Sequence, residues 1–333
     1  LNMSKNQDIY FYPYRTDINS YPLRIQYILS DSFFIKNLSF KQEAIKVLSF
    51  RFFRKDIAII NWLENGFVNK NGGISYVGII RVFIILLLLK IRFKKLLYVK
   101  HNHYPHNIKT KHIKMVISMM KIMASFFDFA VVHSPTEVNL TYLPHPLYKY
   151  PLELSQNKSN PDIDKYIIFG RITRYKKIED VILAFPDNKK LIIAGGCEDR
   201  EYLSFLEELI KNKTNIIIKG YFLSDKDAEN LIKGCNGLIL SHSNEEMIVS
   251  GSFFYSLTMG VKVYAIETPF LSWVEENVGE NVIQNFKNLH DMMETIMNEQ
   301  HLNYCYGEEN INKINELFSD KLIRETFESL LYK

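Results

Sequence analysis

Two runs of alternating apolar and helical segments, separated by a proline-rich stretch, constrain this chain more than any other feature. In the first run, Ile9–Tyr12, Ile57–Asn61, Leu96–His101 and Phe129–His133 read as strands, while Leu23–Leu29, Ile79–Phe93 and Ile113–Phe126 read as helices. In the second, Tyr166–Gly170, Leu191–Gly195, Asn215–Gly220, Gly237–Ser241 and Val261–Ala265 read as strands, interleaved with helical patterns. Alternation of this kind implies parallel sheets with helices on both faces. Residues 142–161 hold Pro144, Pro146, Pro151 and Pro161 around a polar SQNKSN and read as a linker. At 333 residues the chain exceeds one ordinary core, so two domains are expected. The expected class is α/β: two doubly wound, Rossmann-like parallel-sheet domains facing each other across a cleft. Residues 1–150 would form the first, 162–318 the second, and a C-terminal helix, 319–333, would pack back on the first. Such sheets bind ligands beyond the carboxyl ends of their strands.

Composition narrows the function classes. A formal net charge of +4, with 41 basic against 37 acidic residues, is too mild for a nucleic-acid binder. Cys197, Cys235 and Cys305 lie far apart and form no CxxC, which fits a reducing compartment without a disulfide framework or thiolate metal site. Leu1–Ile9 is polar, so no secretory leader is expected and the cytoplasm is the expected location. The apolar run Val82–Leu89 is far short of the ~20 residues a membrane span needs. A buried helix is the first reading. Arg92, Lys94, Lys95, Lys100, Lys109, Lys111, Lys114 and Lys121 follow it, however, and an apolar run beside basic groups also suits the surface of an anionic membrane, here the inner face of the plasma membrane.

Chemistry concentrates in the second run. After the strand Gly237–Ser241, a polar loop leads to Ser250-Gly251-Ser252, which opens a helical pattern closed by Gly260. A helix start leaves backbone N–H groups unpaired, glycine admits a ligand closely, and the dipole favours negative charge. An ordinary N-cap serine would give the same local pattern. Two more loops fall at neighbouring strand ends: Gly170-Arg171-Ile172-Thr173-Arg174-Tyr175-Lys176-Lys177 and Gly195-Gly196. Fixed cations and a helix N-terminus converging on one place suit a diphosphate.

Order and spacing carry a resemblance. FGRITRYKKIEDVILAF resembles the "GR…KG…LI.AF" element of GT-B glycosyltransferases, in particular glycosyltransferase family 4 and its relatives in bacterial polysaccharide synthesis. LIIAGG, followed by IIIKGYFLSDKDAENLIKGCNGLILS, resembles that family's strands leading to the nucleotide-sugar site. The likeness runs from Lys165 to about Asn285 and is looser in KHNHYPHN and LPHPLYKYP of the first domain. It implies that Arg171 and Lys176 hold the donor diphosphate, with Gly170, Gly195, Ser250, Gly251 and Ser252 around it. It also implies that Tyr221, in the loop Gly220-Tyr221-Phe222, lies beside the nucleobase. Family members carry two glutamates eight apart. Here the loop is about two residues longer: Glu245 or Glu246 stands for the first, but Tyr255 occupies the second position, and SGSFFYSLTMG resembles the polysaccharide branch instead.

The resemblance implies transfer of a sugar from a nucleotide-diphosphate sugar, a UDP-sugar foremost, to a glycan or lipid-linked acceptor. The donor is a co-substrate, and no cofactor is expected. His101, just past a strand of the first domain, is the candidate base or hydrogen-bond partner, with Glu245 and Glu246 as the other catalytic candidates. Asn102 and His106 are candidates for the acceptor. Asp162-Ile163-Asp164 spells a DxD but reads as linker, so no metal site is expected. A nucleotide-sugar epimerase of the same architecture and a non-catalytic glycan-assembly partner remain alternatives, and retention or inversion stays open.

Overall fold

The computed structural model describes residues 7–16, 19–50, 53–106, 108–153, 161–242, 247–300 and 306–332. The chain forms two compact units. The first comprises Leu1–Pro146 with Glu245–Val249 and Asp320–Lys333, and the second Leu147–Asn244 with Ser250–Ser319.

In chain order the first unit holds β1 (Asp8–Tyr12), α1 (Tyr21–Leu29), β2 (Phe34–Asn37), α2 (Phe40–Leu48), β3 (Lys55–Asn61), α3 (Tyr76–Arg92), β4 (Phe93–Lys100), α4 (Ile113–Ala124), β5 (Phe129–Val132) and β6 (Thr141–Tyr142). The second holds β7 (Asp162–Phe169), α5 (Ile178–Ala184), β8 (Lys190–Ala194), α6 (Arg200–Leu209), β9 (Ile216–Lys219), α7 (Asp225–Lys233), β10 (Cys235–Leu240), α8 (Gly251–Met259), β11 (Val263–Ile266), α9 (Pro269–Val278), β12 (Ile283–Phe286), α10 (Leu289–Asn298) and α11 (Glu308–Leu317). The last helix, α12 (Asp320–Leu331), belongs to the first unit.

Both sheets are parallel. The first has the order β2-β1-β3-β4-β5-β6 and the second β12-β11-β10-β7-β8-β9. The order reverses between β1 and β3 in one sheet and between β7 and β10 in the other. These switch points splay the following loops apart and leave crevices at the carboxyl ends of the strands. Helices cover both faces of the first sheet. Ala58, Ile60, Leu96 and Tyr98 pack with α3 and α4 on one side. Ile57, Ile59, Leu97 and Val99 pack with α1 and α12 on the other. Strands buried on both faces read as continuous apolar runs, which is why Ile57–Ile60 and Leu191–Ala194 stood out in the sequence. Arg24 pairs with Asp320 at 2.5 Å and the Ser32 hydroxyl donates to Glu328 at 2.6 Å, fixing α12 within the first unit.

Five local readings need correcting. β2 and α2 were missed: FIKN is a short edge strand with its side chains largely exposed, so it lacks an apolar run. α3 starts earlier than its apolar run, at Tyr76, because the Ser75 hydroxyl accepts from the Gly78 amide at 3.1 Å. Nor is α3 a fully buried helix, since only Val82, Leu86, Leu89 and Arg92 along it are buried. Asp162 and Asp164 lie on β7 itself, at its N-terminal end, where they pair with Lys190 at 3.0 Å and Lys189 at 2.8 Å. The proline-rich stretch is likewise structured at its borders. Tyr142 closes the first sheet, and Leu152 exchanges hydrogen bonds with Asn315 at 2.8 and 2.9 Å.

Candidate functional site

In the second unit the site grows from three glycines. Gly170 follows β7 with φ +96° and Gly195 follows β8 with φ +150°. A Cβ on Gly195 would stand 2.2 Å from the Gly170 carbonyl oxygen, so the two loops touch only because Gly195 lacks a side chain. Gly196 lies beneath the ring of Phe222, whose carbons would come within 2.4–2.7 Å of a Cβ there. Past β9, the side chains of Tyr221 and Phe222 are both more than half exposed, giving an aromatic shelf at this edge.

Above Gly170 the cationic loop meets the start of α8. The Phe169 carbonyl accepts from the Lys176 ammonium at 3.2 Å and from the Ser252 hydroxyl at 2.7 Å. Ser250 occupies the N-cap with an extended backbone, but its side chain makes no capping bond. The first amides of α8 are therefore left to another acceptor. Gly251 is exposed, and among the described residues the only atom near a Cβ there would be the Tyr148 hydroxyl at 3.4 Å.

Electrostatics make this spot anion-seeking. Lys176 is buried and pairs with no carboxylate among the described residues. Burial, with the Arg171 guanidinium second, pushes its ammonium down to about 7. Arg171 is exposed and makes no hydrogen bond or ion pair among the described residues. Arg174, by contrast, is committed to Asp199 at 2.8 Å.

The first unit holds a second constellation at its own switch point. Asn61 ends β3, His101 follows β4, His133 follows β5, and Tyr21 opens α1. The Asn61 amide donates to the Tyr12 carbonyl at 2.8 Å, which turns its oxygen toward His101 Nε2 at 2.9 Å. His101 thus carries its proton on Nε2 and offers a lone pair on Nδ1, a tautomer assigned from its partner. His133 donates from Nδ1 to the Leu143 carbonyl at 2.9 Å and accepts from the Tyr21 hydroxyl at 2.8 Å. His145 donates from Nδ1 to the Pro146 carbonyl at 2.9 Å. Trp62, in the left-handed region at φ +54°, stacks on His101 with centroids 4.2 Å apart.

Burial, reinforced by His133 and His145, holds His101 well below the usual imidazole range. Burial alone brings His133 down to about 4, against the pull of the Leu143 carbonyl. These rings are neutral hydrogen-bonding groups near pH 7, and among the described residues no three His, Cys, Asp or Glu side chains are arranged to hold a metal ion.

The sequence candidates therefore separate. Gly170, Arg171, Lys176, Gly195, Ser250, Gly251 and Ser252 gather at one switch point, with Tyr221 at its edge. His101 and Asn102 belong to the other unit, where Asn102 forms an antiparallel bridge with Met247. His106 is half-buried in the loop beyond them. Glu245 and Glu246 lie outside the described residues. Sequence reasoning missed Trp62, Asn61 and Tyr21, which only the tertiary fold brings to His101. It also missed Phe222 as the ring over Gly196, though the pair Tyr221-Phe222 was in view.

No protein-family model and no curated protein matches this chain. Among solved structures it is similar to sucrose-phosphate synthase from Thermosynechococcus elongatus, with TM-score 0.67 and 12% identity over 98% of each chain. HepE from Anabaena, in complex with UDP-glucose, gives TM-score 0.64 and 11% identity over 98% of this chain and 100% of that one. TarM from S. aureus, in a complex containing UDP, gives TM-score 0.57 and 14% identity over 74% of this chain and 53% of that one. The chain thus spans about half the length of TarM. What it shares with these proteins is the GT-B glycosyltransferase fold.

Proposed function

We propose that this chain is a glycosyltransferase, a hexosyltransferase that moves a sugar from a nucleotide-diphosphate sugar to a glycan or lipid-linked acceptor in bacterial surface polysaccharide synthesis. One observation carries the reading: Lys176 and the start of α8 share the Phe169 carbonyl beside Gly170, with Arg171 nearby and unpaired among the described residues. Negative charge develops on the departing diphosphate, and fixed cations with preoriented amides stabilise it without reorganisation. A UDP-sugar is the favoured donor, in keeping with the ligands of HepE and TarM. No cofactor enters the proposal. Arg171, Lys176 and the α8 amides supply the positive field, so transfer is metal-independent, and a strong chelator leaves turnover unchanged.

His101, with Asn102 and His106 in the same loop, is assigned to the acceptor. A ring held well below its usual range is a poor store for a proton and a good acceptor through Nδ1. It orients a hydroxyl rather than acting as a strong base. Peripheral contact of the first unit with an anionic membrane, at the cytoplasmic face, belongs to the same proposal.

Thermal unfolding with a panel of nucleoside diphosphates and their sugars tests the reading. A ligand bound only by the folded state at a hundred times its Kd adds about 2.7 kcal/mol. A clear upward shift with UDP or a UDP-sugar supports the donor site. Unchanged Tm with every nucleoside diphosphate overturns it.

A further inference from the structure

α3 presents an apolar stripe to the outside. Tyr76, Ile80, Ile84, Leu87 and Ile91 are each 42–71% exposed, and their spacing of three and four residues puts them on one face. The opposite face, with Val82, Leu86 and Leu89, is buried in the core. At ~1.5 Å per residue the stripe runs roughly 22 Å. Exposed apolar surface of that extent marks an interaction site.

Charge decides the partner. From Asn65 to Phe127 the chain has eleven Lys and Arg and no Asp or Glu. α2, α3 and α4 lie on the same side of the sheet. Their only carboxylate, Glu43, is buried and held by Arg92 at 2.8 Å, Lys55 at 2.5 Å and Lys46 at 3.1 Å. None of the three helices therefore exposes a carboxylate of its own, and the exposed Asp128 beyond α4 is neutralised by Lys90 of α3 at 2.9 Å. Arg81 on α3, Lys111 just before α4, and Lys114 and Lys121 on α4 are exposed there without ion-pair partners among the described residues, and the exposed Met115 and Ile122 each follow one of the α4 lysines. Among the described residues no helix is long and apolar enough to cross a membrane.

We propose that this face docks on an anionic lipid bilayer, with α3 lying along the interface and its stripe among the acyl chains. Arg81, Lys111, Lys114 and Lys121 meet the phosphate headgroups. An in-plane helix needs an apolar stripe, a basic flank and no unpaired anion on its own surface, and α3 meets all three. The inference rests on the peripheral membrane contact proposed above and names its surface. It does not depend on the donor site.

The test is sedimentation of the full chain with vesicles of phosphatidylglycerol and phosphatidylcholine in equal parts, and with phosphatidylcholine alone. Wild type should bind the anionic vesicles at least tenfold more tightly, and salt should erode the difference. Ile84→Asp with Leu87→Asp should reduce binding more than tenfold at any salt. Lys111→Glu, Lys114→Glu and Lys121→Glu together should remove the preference for anionic lipid. The substituted side chains are exposed, so nucleoside-diphosphate binding should survive in both variants. That readout also separates failure of the docking face from failure of the donor site. Wild type that ignores anionic vesicles, or variants that bind like wild type, would overturn the proposal. So would a wild-type dimer that Ile84→Asp with Leu87→Asp dissociates, because the face would then serve a second copy.

Discussion

Tyr255 stacks on Tyr148, with ring centroids 4.0 Å apart and planes at 27°. The same ring meets Phe169 edge-on at 5.3 Å. The sequence resemblance sets Tyr255 at the place of the second glutamate, and in the structure that side chain packs against the aromatic segment before β7.

Substitutions at Tyr255 should follow packing rather than charge. Tyr255→Phe keeps the stack and should leave donor affinity within about threefold. Tyr255→Glu would set a carboxylate against two rings and lose a contact typically worth about 0.5–1.5 kcal/mol beyond its area. It should lower the Tm of the second unit without strengthening donor binding. Tighter UDP binding by Tyr255→Glu would show that the family's ribose contact can still form here, against the packing argument.

Lys176 should link donor binding to pH. Its ammonium titrates at about 7 in the free protein because it is buried beside Arg171. A bound diphosphate favours the charged form and raises that value, so binding takes up a proton above pH 7 and affinity falls as pH rises. Calorimetry in buffers of different ionisation enthalpy at about pH 8 should detect the uptake. Lys176→Ala should abolish it and weaken diphosphate binding by roughly 1.5–3 kcal/mol, ten- to a hundredfold. Proton uptake that persists in Lys176→Ala would assign the effect elsewhere.

Two glycines should fail in opposite ways. Gly251 is exposed, with nothing among the described residues closer to a Cβ than 3.4 Å, so Gly251→Val should fold and lose donor binding by obstructing the helix start. Gly170→Ala would need φ +96° and place its Cβ 2.6 Å from Ser252 Oγ, so it should destabilise the second unit by a few kcal/mol. Circular dichroism and UDP titration on both variants separate the two kinds of loss.

Parallel strands were legible because burial on both faces writes them as plain apolar runs, as in Ile57–Ile60 and Leu191–Ala194. β2 was not, because an edge strand with exposed side chains carries no such run. The cationic loop and the α8 start were legible because glycine, lysine and serine sit at strand and helix ends, where local rules apply. The surroundings of His101 were not. Trp62 and Tyr21 reach it through the sheet order, and no local signal places a tryptophan at φ +54° against a histidine 39 positions away.

His101→Ala should lower turnover with acceptor more than tenfold while donor affinity changes little. The ring belongs to the first unit, and its Nε2 is already committed to Asn61. Asn61→Asp should act in the same direction, because a carboxylate there would recruit a proton onto Nδ1 and remove the lone pair. Steady-state kinetics that separate acceptor KM from kcat would show it. Normal turnover in His101→Ala would reduce the cluster to a structural role.

Glu64 should make the first unit less stable as pH rises. It lies two residues after Trp62, fully buried, and among the described residues neither carboxylate oxygen makes a hydrogen bond of normal geometry. The nearby Tyr98 hydroxyl is buried and unbonded in the same way. Burial pushes the Glu64 carboxyl up to about 7 from 4.5. The folded state therefore holds the proton more tightly than the unfolded chain does. Stability contributed by the protonated acid is complete below pH 4.5 and is lost progressively as pH rises to about 7. At 1.36 kcal/mol per unit the loss is on the order of 3 kcal/mol. Glu64→Gln keeps the shape without the charge, so it should be nearly as stable as wild type at pH 5 and more stable at pH 8. The chain has two tryptophans, so urea unfolding followed by Trp62 fluorescence in a Trp273→Phe background reports on the first unit alone. If the variant and wild type show parallel midpoints from pH 5 to pH 8, Glu64 is ionised in the folded protein, and a partner for its charge must be sought beside Lys100.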